Sequence, residues 1–179
     1  LMDKKTQAVT EIYAKSLVEV ALERDSVPII YDEVRAILSV LDDQQVQDFL
    51  ASKAIDLSAK SEVVRLFQES CSNYMKQFLE IILQNERQQL LYLIMKEVLK
   101  ELSLKTHIFD IEVTTAVALS DDQKERLTAL VEKKFALTKR NLIEKIDDEI
   151  IGGFIIKANN KVIDTSIRSQ LQELKMNLK

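Results

Sequence analysis

The sequence predicts a mainly α protein with a small α+β part: an N-terminal six-helix bundle over residues 1–105, followed by a smaller C-terminal α/β domain over 106–179. Three observations predict it. Only two glycines and one proline punctuate 179 residues that are 46% hydrophobic and 30% charged, too apolar for disorder and too poor in breakers for an all-β fold. Apolar residues recur at helical spacing to about residue 103. From Leu104 the period changes from 3.6 to 2, the mark of a half-buried strand.

The first helix is expected over roughly Lys4–Arg24, with Val9, Ile12, Tyr13, Leu17, Val20 and Ala21 on one stripe and Ala14 and Val18 beside it. That apolar face is wider than one neighbour requires. Ser26 can cap a second helix whose first turn tolerates Pro28 and whose inner face is Ile30, Val34, Ile37, Leu38 and Leu41. Asp42-Asp43 marks a turn or helix start before a short helix with Val46, Phe49 and Leu50. After Asp56-Leu57-Ser58 comes another, with Val63, Leu66, Phe67 and Cys71. The fifth, about Asn73–Gln84, carries Met75, Phe78, Leu79 and Ile82 on one face, with Ile81 and Leu83 around the side. Asn85-Glu86 breaks it, and Leu91, Ile94, Met95, Val98 and Leu102 build a sixth.

In the second region Phe109, Ile111, Val113, Thr115 and Val117 form one face of a strand. Ser120-Asp121-Asp122-Gln123 reads as a capping box opening a helix to about Phe135, with Leu127, Leu130 and Val131 inward. Leu142, Glu144 and Ile146 alternate in a second strand before the acidic turn Asp147-Asp148-Glu149. The two glycines, Gly152 and Gly153, stand side by side in an apolar strand-like run, which implies a bulge, a sharp bend or close approach of another backbone. Asn159-Asn160 can turn with positive φ into a return strand, Lys161-Val162-Ile163. Asp164-Thr165-Ser166 then supplies caps for a final helix with Ile167, Leu171, Leu174 and Leu178 on one stripe.

A net charge of −4 argues against nucleic acid, because a phosphate backbone needs clustered Lys and Arg. The single cysteine, Cys71, rules out an intrachain disulfide and a Cys-based zinc site, and reads as a small buried hydrophobe in a reducing compartment. No basic stretch followed by an apolar one opens the chain, so no secretion or transit signal is expected. The longest apolar run, Leu90–Met95, falls far short of the ~20 residues a spanning helix needs.

Catalytic and metal chemistry find little support. His107 is the only histidine and sits in a linker, where a structural or solvated role is expected. Neither GxxxxGK[ST] nor GxGxxG occurs. The carboxylates at Asp42-Asp43, Asp121-Asp122 and Asp147-Asp148-Glu149 come as adjacent pairs where caps and turns already account for them. No catalytic, cofactor or metal residue is therefore assigned. The spare apolar surface of helices one and five fits either burial all round or a groove for an amphipathic helix from elsewhere.

Three segments resemble a family. Ile12-Tyr13-Ala14-Lys15-Ser16-Leu17 is similar to the opening motif of the delta subunit of the bacterial rotary ATP synthase, the oligomycin-sensitivity-conferring protein family, although Ile12 stands where proline is frequent. Leu119-Ser120-Asp121-Asp122-Gln123 resembles its capped helix. Ile151-Gly152-Gly153-Phe154-Ile155-Ile156-Lys157 with Val162-Ile163-Asp164-Thr165-Ser166-Ile167-Arg168 and Leu171 resembles its C-terminal signature almost position for position, with Gly152, Gly153, Asp164 and Ser166 as its structural marks. Thr165 replaces a usual glycine, Asn159-Asn160 a Gly-Asp type turn and Asn85-Glu86 an Asn-Gly type link.

The resemblance implies a non-catalytic peripheral-stalk (stator) subunit, without cofactor, at the cytoplasmic face of the bacterial membrane as part of the synthase. Residues 1–105 would receive the N-terminal helix of an alpha subunit between helices one and five, and 106–179 would hold the ends of the b subunits. Tyr13, Ser16 and Val20 with Phe78, Ile81 and Ile82 would line that groove. Tyr13 would give aromatic area with a hydroxyl at the wet rim, Ser16 a small floor and the aliphatics a desolvated centre, in an interface of roughly 1,600 Å². The alternative is a free-standing helical adaptor with the same groove but no reason to carry the Gly-Gly signature.

Overall fold

The computed structural model describes residues 2–166, 172 and 174–177. The chain divides into two compact units, Leu1–Lys105 and Thr106–Lys179. The first holds α1 (Lys4–Glu23), α2 (Val27–Leu41), α3 (Gln44–Ala51), α4 (Leu57–Gln68), α5 (Asn73–Gln84) and α6 (Leu91–Thr106), the last entered through a 3-10 turn, Gln88–Leu90.

Side-chain oxygens start four of these helices by accepting an otherwise orphaned amide. Asp3 accepts from Thr6 N at 2.6 Å, Asp43 from Gln45 N at 2.8 Å, Asp56 from Ala59 N at 3.0 Å and Ser72 from Met75 N at 3.4 Å. The Thr6 amide also holds the Asp3 carboxyl below the usual carboxylate range. Ser26 departs from expectation. It occupies the N-cap position of α2, but its ψ of 18° turns the hydroxyl away from the first-turn amides, and its Oγ is buried without a partner. Left-handed residues follow three of these helices, Asp25 at φ 50° after α1, Glu86 at φ 54° after α5 and His107 at φ 56° after α6.

The bundle core is Ile30, Val34 and Leu41 of α2, Met75, Leu79 and Ile82 of α5, and Leu91, Ile94, Met95, Val98 and Leu102 of α6, all with no exposed surface. Burying each such leucine, isoleucine or methionine stabilises by about 1.5–3 kcal/mol. The inner stripe of α1 is rotated from the predicted one. Thr10, Ala14, Leu17, Val18 and Ala21 are buried, whereas Ile12 is exposed and Val9, Tyr13 and Val20 are only half-buried. Small residues at 14 and 21 let α1 lie close, so the bulkier stripe is left outside.

A carboxylate of α2 secures the start of α5. Ser72 Oγ donates to Glu33 Oε2 at 2.9 Å, and Ser72 N donates to Glu33 Oε1. Glu33→Ala is expected to lower stability by about 1–2 kcal/mol, the worth of a charge-assisted cap, read from urea unfolding. No change would mean that solvent replaces the carboxylate without loss.

The second unit contains β1 (Ile108–Thr115), α7 (Asp121–Phe135), β2 (Thr138–Ile146), β3 (Phe154–Ala158) and β4 (Lys161–Asp164). Its sheet has the order β2-β1-β3-β4, with β1 parallel to β2 through the α7 crossover and antiparallel to β3. Both halves of the capping box are made: Gln123 N donates to Ser120 Oγ at 3.2 Å and Ser120 N to Gln123 Oε1 at 2.9 Å. The core is Ile111, Val113, Leu127, Val131, Leu137, Ile156 and Ala158.

Several placements correct the pattern reading. Val117 lies beyond β1 and is 75% exposed; Leu130 is 50% exposed, with Thr128 buried instead; β2 begins four residues before Leu142. Glu144 lies on the inner face of β2, opposite Val113, where it pairs with Lys124 of α7 at 3.5 Å. His107 closes α6 at φ 56°, and its carbonyl accepts from Thr138 N at 2.8 Å, a structural place. Asn159 and Asn160, at φ 49° and 58°, make the expected positive-φ turn between β3 and β4. Most of the predicted final helix, including Ile167, Leu171 and Leu178, lies outside the described residues.

Candidate functional site

The half-buried outer stripe of α1 meets α5 in an apolar groove. Ser16, Leu17 and Val20 line a hollow of about 120 Å³ with Tyr74, Gln77, Phe78 and Ile81. Helical spacing explains the set. Tyr74, Phe78 and Ile81 fall at i, i+4 and i+7 on α5, and Ser16 and Val20 at i and i+4 on α1.

Leu17 and Phe78, only 2% and 6% exposed, make the floor, and Ser16 keeps the α1 wall low. Ile81, 48% exposed, and Tyr74, 38% exposed, stand on the rim. The two rim side chains are therefore partly solvated, and covering them is favourable. Across the other flank of α5, Glu80 accepts from Arg65 Nε at 3.0 Å and from Gln68 Nε2 at 3.0 Å, tying α5 to α4. Those bonds hold the Glu80 carboxyl below the ordinary range, the Arg65 contribution leading, and raise the Arg65 guanidinium in turn.

Tyr13 lies one turn before Ser16, and its hydroxyl accepts from Asn85 Nδ2 at 2.8 Å, just past the end of α5. The middle of α1 thus meets the end of α5. Of the six groove residues the resemblance implied, Ser16, Val20, Phe78 and Ile81 share the hollow, and Tyr13 stands beyond it. Ile82 does not join them. It has no exposed surface and belongs to the bundle core, because it sits 100° round α5 from Ile81. Tyr74, Gln77 and Leu17 were not among the implied groove residues, although Leu17 lies on the predicted α1 stripe and Tyr74 continues the Phe78–Ile81 stripe by one turn.

A second hollow, of about 410 Å³, lies between α2 and α4, where Ala36, Val40 and Leu66 meet the carboxylates of Asp32 and Glu33. It is larger but more polar in its lining residues, and Glu33 is already engaged at Ser72. Cys71 borders it. Burial pushes its thiol up, and the Sγ donates to Phe67 O at 2.9 Å, which describes an unreactive cysteine.

In the second unit Gly152 and Gly153 do not lie within a strand. They precede β3 at φ 68° and 75°, and the chain returns across Gly153 at Thr165-Ser166. Thr165 N donates to Phe154 O at 2.9 Å, and Asp164 Oδ1 accepts from Ser166 N at 3.0 Å and Ser166 Oγ at 2.8 Å. Gly153, Asp164 and Ser166 therefore meet at one backbone crossing, with Gly152 preceding it at positive φ. On α7, the exposed Leu130 borders a hollow of about 270 Å³ with Leu119, Leu127 and Phe154. Among the described residues no group of three or more His, Cys, Asp or Glu side chains could hold a metal ion.

Comparison with known proteins gives one answer. The family model described as ATP synthase delta (OSCP) subunit matches residues 9–178. The ATP synthase subunit delta of Streptococcus equinus is 56% identical over 178 residues, covering 99% of this chain and all of that one. That of Streptococcus thermophilus (strain ATCC BAA-491 / LMD-9) is 52% identical over the same span, again 99% of this chain and 100% of the other. The fold is also similar to a chain of the Toxoplasma gondii mitochondrial ATP synthase hexamer, at a TM-score of 0.68 and 16% identity, with 94% of this chain and 96% of that one covered.

Proposed function

The chain belongs to the ATP synthase delta (OSCP) subunit family, whose members are non-catalytic components of the peripheral stalk, and on that premise we propose that it ties the catalytic head to the membrane-anchored b subunits and so resists rotor torque during proton-driven ATP synthesis. Residues 1–105 receive the N-terminal helix of an alpha subunit in the α1/α5 groove, and residues 106–179 hold the b subunits. Attachment at the cytoplasmic face of the membrane goes through these partners. No helix among the described residues is long and apolar enough to cross a membrane.

The observation that carries this reading is the groove itself: a floor of Leu17 and Phe78 with Ile81 and Tyr74 left on the rim. An amphipathic helix laid there covers the apolar surface that Ile81 and Tyr74 leave exposed. A stator transmits force without chemistry, so what it needs is a slow off-rate, which well-packed apolar anchors supply.

Calorimetric titration of the full chain with a synthetic peptide of the alpha subunit's N-terminus tests it. Saturable one-to-one binding is expected. Ile81→Asp should weaken binding roughly a hundredfold or more, because docking would bury an unpaired charge, while the melting temperature falls only slightly, because residue 81 is about half exposed in the free protein. A folded wild-type chain that fails to bind would remove the docking reading.

A further inference from the structure

One side-chain hydrogen bond joins α1 to the end of α5 just beyond the groove. Asn85 Nδ2 donates to the Tyr13 hydroxyl across 2.8 Å, joining the end of α5 to α1 on the stripes that carry Ile81 and Ser16. Asn85 is exposed and Tyr13 half-buried, so the bond is reachable from the groove.

The chemistry left over is definite. The phenolic oxygen is used as an acceptor, which leaves the Tyr13 O–H to donate, and the bond uses one amide hydrogen, which leaves Asn85 Oδ1 to accept. The pair therefore presents one donor and one acceptor side by side. Solvent water can reach both in the free protein. A helix lying along the groove and continuing past Ser16 and Ile81 displaces that water, and an apolar side chain at this place would leave both groups unpaired.

We propose that the Tyr13–Asn85 pair sets the register and specificity of the docked helix: it selects a hydroxyl or carboxamide side chain about one turn beyond the last apolar anchor and rejects an apolar one. A hydroxyl or a carboxamide meets both demands, accepting from Tyr13 and donating to Asn85. The apolar floor supplies affinity at any register, whereas this pair fixes one, since a helix slipped by a turn would cover it with a hydrocarbon. The inference rests on docking in the α1/α5 groove.

The test uses the full chain and the alpha-subunit N-terminal peptide, together with peptide variants in which each Ser, Thr, Asn and Gln is replaced in turn by Ala. Tyr13→Phe and Asn85→Ala should each weaken the parent peptide about tenfold, the loss of one buried hydrogen-bonded contact. One peptide variant should lose the same factor against the wild-type chain and almost nothing against Tyr13→Phe. Unaltered melting of both variants keeps the comparison fair, and Tyr13→Phe removes only an oxygen. If both bind every peptide as the wild type does, while Ile81→Asp still abolishes binding, the pair has no part in recognition and the inference falls alone. Weakening without coupling to any peptide position also overturns it. A wild-type chain that binds no peptide removes the docking reading as well.

Discussion

Gly153→Ala is expected to destabilise the C-terminal unit by about 3 kcal/mol or more, whereas Gly152→Ala costs about 1 kcal/mol. Both residues hold left-handed backbone, at φ 75° and 68°, so each alanine meets a Cβ clash with its own chain. Only Gly153 has a shown second obstacle. A Cβ there would lie 2.4 Å from Thr165 O, 2.8 Å from Thr165 C and 2.9 Å from Ser166 Cα, all backbone atoms that cannot rotate aside. Relief requires pulling β4 away from β3, which breaks the Thr165 N to Phe154 O bond and disturbs the Asp164–Ser166 turn. Amide hydrogen exchange reads this directly. Protection at Phe154–Ala158 and Lys161–Thr165 should drop in Gly153→Ala by roughly a hundredfold, the exchange equivalent of about 3 kcal/mol. Protection in the six helices should not change. Gly153→Ala as mild as Gly152→Ala would show that the crossing yields easily.

That crossing also marks where sequence reasoning reached its limit. The pair announced bare backbone, and close approach of another chain segment was among its readings, but period-2 patterning placed the pair inside a strand. The residues around it, Ile150, Ile151 and Phe154, are apolar, so hydropathy cannot tell a strand interior from its threshold. The cap at Ser120 was legible through its capping box and the one at Asp43 as a helix start, whereas Asp3, Asp56 and Ser72 cap from equally extended backbone without having been read as caps. Ser26 failed because its cap geometry is set by the preceding reversal at Asp25.

The groove was half legible. Excess apolar surface on two helices could be counted, yet which residues of a wide stripe face inward depends on how closely the neighbour approaches. Ala14 and Ala21 let α1 sink onto the bundle along its small side, which rotated Tyr13, Ser16 and Val20 outward. On α5, Ile81 and Ile82 are chemically identical and adjacent, but one is 48% exposed and the other has no exposed surface. Only packing separates them.

The consequence is a second large effect. Ser16→Phe should abolish docking of the alpha-subunit peptide, weakening it roughly thirtyfold or more, without lowering stability. Ser16 is exposed on α1 and beside the hollow of about 120 Å³ over Leu17 and Phe78. A phenyl ring can lie down into that hollow, cover the floor and bury its own apolar area, so melting should hold or rise slightly. The same ring occupies the space into which a partner side chain must insert, and raises the one wall that serine keeps low. Ile81→Asp and Ser16→Phe thus fail by opposite physics, one by adding a charge to the rim and the other by adding hydrocarbon to the floor. Loss of binding in the aspartate variant alone would fit any apolar contact that the rim at Ile81 borders. Loss in both, with both melting close to the wild type, requires that the partner side chain enter the α1/α5 hollow. Undiminished binding by Ser16→Phe would mean that the peptide lies elsewhere on the bundle.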